Sequence, residues 1–122
     1  MQQVILDKIK TNSLTGIRAG NTRDSFLDIW MVVVDNRIFA RSWGLSERSW
    51  YSQFLTDPSG AIRCGEHIVP ILARVPDDVL QLTDRINQAY LEKYNKGDNA
   101  VYAQGIIRPE HIAKTMEFVP VF

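Results

Sequence analysis

The stretch from Phe26 to Trp43, FLDIWMVVVDNRIFARSW, most constrains what this chain folds into, because two β-rich runs flank Asp35-Asn36. Asn tolerates positive φ, so a two-residue loop containing it between apolar runs predicts a tight hairpin. The strands are expected at Phe26 to Val34 and Arg37 to Trp43. Such a turn fixes the register, setting Val34 against Arg37, Val32 against Phe39, Trp30 against Arg41 and Asp28 against Trp43. One face then carries Ile29, Met31, Val33, Ile38, Ala40 and Ser42, and reads as core. The other carries Asp28, Trp30, Val32, Phe39, Arg41 and Trp43, which is too aromatic to leave in water. That second face is expected to be covered by a partner or a ligand.

The rest of the chain supplies what must pack on this hairpin. A short helix is expected over Gln2 to Lys10, with Ile5 and Ile9 on one side. A strand follows over Leu14 to Ala19, then a turn over Gly20-Asn21-Thr22-Arg23-Asp24. Ser49 to Leu55 reads as a short helix closed by Thr56 to Gly60. Ala61 to Cys64 and His67 to Val75 form a second hairpin about Gly65-Glu66, with Pro70 marking an edge strand or a bulge. Asp77 to Lys96 is a long helix, since Val79, Leu82, Ile86, Ala89 and Tyr90 recur at helical spacing, with acids at its start and lysines at its end. Asp98 to Ile107 is open between a short helix and irregular chain. Arg108-Pro109 breaks the chain, and Ile112 to Val119 is the last strand. Five or six antiparallel strands with two main helices hide their edges best in a closed or nearly closed barrel.

At 122 residues, with 45% hydrophobic and 23% charged side chains, the chain is expected to form one globular domain over residues 1–122. Its formal net charge of zero gives no electrostatic footprint for nucleic acid. The apolar run Ile29 to Val34 is too short to span a bilayer, and no leader pattern opens the chain, so a cytoplasmic protein is expected. Cys64 is the sole cysteine, and His67 and His111 are isolated, so no metal site is expected. Cys64 does face His67 across its turn, but no third residue orients the histidine.

The segment Arg41 to Tyr51, RSWGLSERSWY, concentrates the candidate chemistry. Guanidinium forks match phosphate oxygens, so Arg41 and Arg48 with Ser42, Ser46 and Ser49 can grip one near the start of the Ser49 helix. Alternatively Arg41 stacks on Trp30 across the hairpin and Arg48 is solvated. Trp43, Trp50 and Tyr51 either line a ring pocket or anchor the loop and a dimer surface. Asp28, mid-strand and diagonal to Arg41, reads as an ion-pair partner or, less simply, a general base. Tyr90 and Tyr94 read as packing residues.

The segment WYSQFLTDPSGAIRCG (Trp50 to Gly65) resembles the Trp-Tyr-x-x-Leu-x-x-x-Pro segment and following strand of deazaflavin-dependent nitroreductases. Those belong to the flavin-binding split β-barrels related to pyridoxamine-phosphate oxidase. The wider pattern DIWMVVVDNRIFARSWG…RSWY is similar to a small domain family within that superfamily. The resemblance implies an α+β fold: a six-stranded antiparallel split β-barrel (Greek key) with one long helix and short helices. It also implies a homodimer holding FMN or a deazaflavin at its interface, with nitroreductase-like oxidoreductase activity. By position the cofactor-binding residues are then Arg41, Ser42, Arg48, Trp50, Tyr51 and Trp30. Only Gly44 stands in the loop where relatives carry paired glycines, which keeps a cofactor-free binding or structural homodimer as the alternative.

Overall fold

The Asp35-Asn36 turn forms as its residues dictate. Both sit at positive φ, 54° and 60°, the geometry that matches the twist of a two-residue hairpin. Val34 pairs with Arg37, Val33 with Ile38 and Val32 with Phe39. The fold is given by a computed structural model that describes residues 2–20 and 25–122; beyond Gly20, the turn expected at Gly20 to Asp24 lies outside the described residues.

The strand expected over Phe26 to Val34 is divided. Leu27–Ile29 (β2) leaves the hairpin to pair with Thr15–Ala19 (β1), while Val32–Val34 (β3) pairs with Arg37–Arg41 (β4). Asp28 therefore faces Gly16, not Trp43, and Trp30 no longer faces Arg41. With Ser59–Cys64 (β5), His67–Arg74 (β6) and Thr115–Pro120 (β7), the sheet has seven strands where six were expected, in the order β2-β1-β5-β6-β7-β4-β3. Its two edge strands are thus separated in the chain by only Trp30 and Met31. Three Cα steps reach about 11 Å, whereas six interstrand gaps laid flat would span about 29 Å. The sheet must curl, and the result is an antiparallel half-barrel. Pro70 lies not at an edge but in β6, between β5 and β7. Its carbonyl accepts from Val121 N–H (2.8 Å), so its missing donor faces β7 where that strand runs out.

Dividing the strand leaves the Arg41 N–H without its ladder partner, and the Met31 carbonyl lies on the open side of β3. In this register Trp30 and Arg41 would be the next pair to exchange hydrogen bonds after Val32 and Phe39. Instead the Arg41 N–H donates to the Tyr90 hydroxyl (2.8 Å). The Met31 carbonyl accepts from Lys93 Nζ (2.6 Å) and, more loosely, from the Tyr94 hydroxyl (3.4 Å). All three side chains come from one face of α3, Val79–Tyr94, because positions three and four apart lie together on a helix.

The two faces of the hairpin are sorted as predicted, but the cover differs. Met31, Ile38 and Ala40 point into the curl with Ile62, Ile71 and Phe118. The open ends of this core are filled by α1 (Gln2–Thr11), through Ile5, Leu6 and Ile9, and by α2 (Trp50–Thr56), through Trp50, Tyr51 and Phe54. Val32 and Phe39 on the other face are covered by Leu82, Ile86 and Tyr90 of α3 and by Ala103 and Ile106 of α4 (Ala100–Ile106). The chain's own helices therefore supply the cover expected from a partner or ligand. The region expected to be irregular or helical is a one-turn 3₁₀ stretch, Gly97–Asn99, running into α4, and Pro109–Ile112 adds a single turn (α5) with Pro at its start. Among the described residues no helix is long and apolar enough to cross a membrane.

An ion network fastens the start of α3 to the sheet. Arg37 makes paired hydrogen bonds to Asp78 (2.8 and 3.0 Å) and to Glu117 (3.0 and 2.9 Å), and Arg74 adds a third guanidinium contact to Glu117 (2.8 Å). Burial pushes the Glu117 carboxyl up, but Arg37 and Arg74 outweigh it and hold it below its usual range. Arg37 likewise lowers Asp78. Carboxyls depressed in the folded state stabilise it fully above their ordinary values of 4.5 and 3.8 and cease to do so as pH falls through the folded ones.

Two predictions follow from these bonds. Tyr90→Phe leaves the buried Arg41 N–H unsatisfied and is expected to cost about 1–3 kcal/mol in urea denaturation; an unchanged midpoint would refute the role given to that hydroxyl. Glu117→Gln is expected to lose about 2 kcal/mol near neutral pH, with the wild-type and variant stability curves converging as pH falls below 4.5. Parallel curves down to acid pH would show that the carboxylate charge does not hold α3.

Candidate functional site

The RSWGLSERSWY segment leaves the end of β4 and enters α2 through a loop bonded largely to itself. The Ser42 hydroxyl donates to Gly44 O (2.5 Å), Ser49 N–H to Ser46 O (3.2 Å), and Gln53 Nε2 to Arg48 O (3.1 Å). Ser49 caps α2, its hydroxyl accepting from Ser52 N–H (3.4 Å). Of the N–H groups at the helix start, that of Ser52 is thereby satisfied by the chain itself.

This loop lines a cleft of about 700 Å³ together with residues of β1 and β2, Ser25 and Phe26, and Tyr102 and Ile106 of α4. Five of the six residues named from sequence line it: Trp30, Arg41, Ser42, Arg48 and Trp50. Tyr51 does not. It packs into the core beside Trp50 with Lys114 Nζ 5.2 Å from its ring centre, and burial raises its pKa. Arg18, Phe26, Asp28, Trp43 and Tyr102 join the lining. Trp30 stacks flat on Tyr94 (4.0 Å between centroids, 6°), and Trp43 lies flat on His111 (4.7 Å, 10°) with its edge to Tyr102. Trp43 fits there because residue 105 is glycine: a Cβ would stand 2.8 Å from its ring. His111 Nδ1 lies 2.9 Å from Ser42 O, so that nitrogen carries the proton and donates.

Arg41 is the unusual group. It is 3% exposed, yet every acceptor around it is neutral. Its Nε donates to Thr115 Oγ1 (3.2 Å), and its Nη1 to Asn87 Oδ1 (2.5 Å) and to Ile106 O (3.4 Å). The guanidinium lies 5.6 Å from the Tyr90 ring centre, not on Trp30. Nη2 is buried and has no hydrogen-bond partner among the described residues. Asp28, the expected ion-pair partner, is instead exposed and 3.9 Å from Arg63, because β2 has left the hairpin. None of the ion pairs among the described residues includes Arg41. Burial accordingly lowers its pKa, the direction expected where a charge lacks a counter-charge.

Arg18 and Arg63 lie either side of Phe26 (4.7 and 4.8 Å from its centroid), and Arg18 Nε is also buried and unpaired. Among the described residues the cleft presents aromatic rings and arginines, with Asp28 as its one carboxylate. It can hold a flat anion. Cys64 and His67 are cross-strand partners as expected, but Cys64 is buried and burial raises its thiol pKa, so it is no thiolate. Among the described residues no metal-binding cluster exists.

Sequence reasoning missed Asn87, Thr115, Tyr102, Gly105 and His111. Tyr102 and Gly105 share a helix face at three-residue spacing, which reading Asp98 to Ile107 as helix would have exposed.

The sequence profile of a family described as "Uncharacterized protein conserved in bacteria (DUF2255)" matches residues 5–118. Among solved structures, that of a conserved hypothetical protein, Rv2991, from Mycobacterium tuberculosis is similar with a TM-score of 0.59 at 12% identity, over 100% of this chain and 79% of that one. This is a likeness of fold. No curated protein matches.

Proposed function

We propose that this chain, which belongs to the DUF2255 family, binds a flat phosphorylated redox cofactor, FMN or a deazaflavin, in the cleft beside Arg41. The observation that carries the reading is the Arg41 guanidinium, buried without a counter-charge at the wall of an aromatic cleft. A charge so placed is unfavourable unless an anion meets it. The cleft volume falls within the roughly 300–1,000 Å³ of small-molecule sites. Trp30 and Trp50 offer ring walls, Trp50 being held by Tyr51, Phe54 and Phe118. Arg48 is exposed at the rim and free to reach a phosphate. Bound there, the cofactor supplies hydride chemistry, as the resemblance to nitroreductases suggests. The chain supplies charge, ring walls and exclusion of water. A cofactor-free binding protein is the second reading, favoured by the loop hydroxyls of Ser42 and Ser49 already engaged within the loop.

Titration with FMN and with a deazaflavin, followed by absorbance and fluorescence of the bound ring, separates these readings. Arg48→Ala is expected to weaken binding by about 1.5–3 kcal/mol and to leave the melting temperature unchanged. If neither cofactor binds the wild type, the cofactor-free reading stands.

The homodimer is retained on different grounds, since α3 covers the hairpin face first assigned to it. Ile68 (56% exposed), Leu72 (49%) and Val119 share the outward face of β6 and β7, with Phe122 (68%) beyond them. A second copy covering this patch accounts for its apolar character. Sedimentation equilibrium is expected to give a dimer for the wild type and a monomer for Leu72→Asp; a monomeric wild type at micromolar concentration removes the dimer.

A further inference from the structure

Arg37 and Arg41 lie four residues apart on β4 and point to the same face of the sheet. Each is gripped by one residue of β7 and by one from α3 or its N-cap, and Arg41 also donates to Ile106 O of α4. For Arg37 these are Asp78 and Glu117, both carboxylates. For Arg41 they are Asn87 and Thr115, both neutral. The two sites draw on the same region of the sheet and helix and differ in charge. At the first the arginine is fully compensated and lies away from the cleft. At the second it lines the cleft and keeps Nη2 unpaired.

We infer that Asn87 sets the charge of what the cleft binds: it meets Arg41 with an amide where a carboxylate would fit, and so reserves the guanidinium's charge for an acidic group of the ligand. This rests on reading the cleft as a ligand site. The Asn87 oxygen is 2.5 Å from Arg41 Nη1, and an aspartate is nearly isosteric, so a carboxylate there would pair directly. In a buried setting that pair screens the arginine from any other anion, because field from a neutralised charge falls off sharply. Asn87 is thus a positioning residue whose essential property is neutrality. The ligand class that follows is a ring system carrying a phosphate or carboxylate.

The test compares FMN with riboflavin, the same ring without the phosphate, on the wild type, Asn87→Asp and Asn87→Ala. The wild type is expected to prefer FMN by about tenfold or more. Asn87→Asp is expected to melt higher than the wild type, bind riboflavin unchanged and lose the preference for FMN. Asn87→Ala is expected to melt lower yet keep the preference, which a purely structural role for the amide would not allow. A preference surviving in Asn87→Asp, or lost equally in Asn87→Ala, overturns the inference and leaves the cofactor reading intact. So does an Asn87→Asp protein that is destabilised or unfolded. If the wild type binds neither flavin, the cofactor reading fails, and inorganic phosphate against chloride at equal ionic strength decides the charge inference alone. Phosphate raising the melting temperature of the wild type but not of Asn87→Asp supports it; equal effects on both overturn it.

Discussion

The structure depends on the break at Trp30-Met31 and on what closes it. A sheet whose first and last strands are joined by two residues cannot lie flat, so the curl follows from chain connectivity before any packing is considered. The break leaves the Arg41 N–H without its ladder partner, a loss of about 1–3 kcal/mol if it stayed buried and bare, and beside it the Met31 carbonyl lies on the side of β3 that faces away from β4. Tyr90, Lys93 and Tyr94 answer both from one helix face. Lys93 Nζ also takes the Ile9 carbonyl near the end of α1 (2.6 Å), and the Tyr94 hydroxyl takes Ser13 O (2.6 Å). One turn of α3 therefore ties together the broken strand, the α1 end and the approach to β1. Burial lowers the Lys93 pKa to about 8, as expected for an amine withdrawn from water.

How much of this was legible in the sequence depended on whether the deciding contact was local. The hairpin register was legible because Asp35 and Asn36 impose the turn by themselves. The long helix was legible because Leu82, Ile86 and Tyr90 repeat on one face. The break was not, since Phe26 to Val34 contains no glycine or proline and is rich in β-branched and aromatic residues along its length. What divides it is pairing with β1, a contact between distant segments. The same limit explains the misplaced cover: a pattern shows that Val32 and Phe39 must be buried, but not that α3 buries them. In the site, Arg41, Ser42, Arg48 and Trp50 were found because one segment holds them. Asn87, Thr115 and His111 come from three other elements and carry no local signal.

Tyr90 links the fold's constraint to the candidate chemistry. Its hydroxyl accepts the Arg41 N–H released by the break, and its ring lies under the Arg41 guanidinium. Burial pushes its pKa up to about 12, so the hydroxyl remains neutral and able to take that bond. The residue that satisfies the weakest point of the ladder is thus the one whose ring also lies against the uncompensated charge of Arg41. Had the strand continued, Trp30 would have occupied the place opposite Arg41. Its departure leaves Arg41 framed by α3, α4 and β7, and turns Trp30 to the cleft wall. Curl, cleft and charge have one origin. On the proposed reading, an anion in the cleft would favour the same arrangement of β4 and α3 that the backbone already requires, so its binding would be coupled to the stability of the half-barrel through Arg41 and Tyr90.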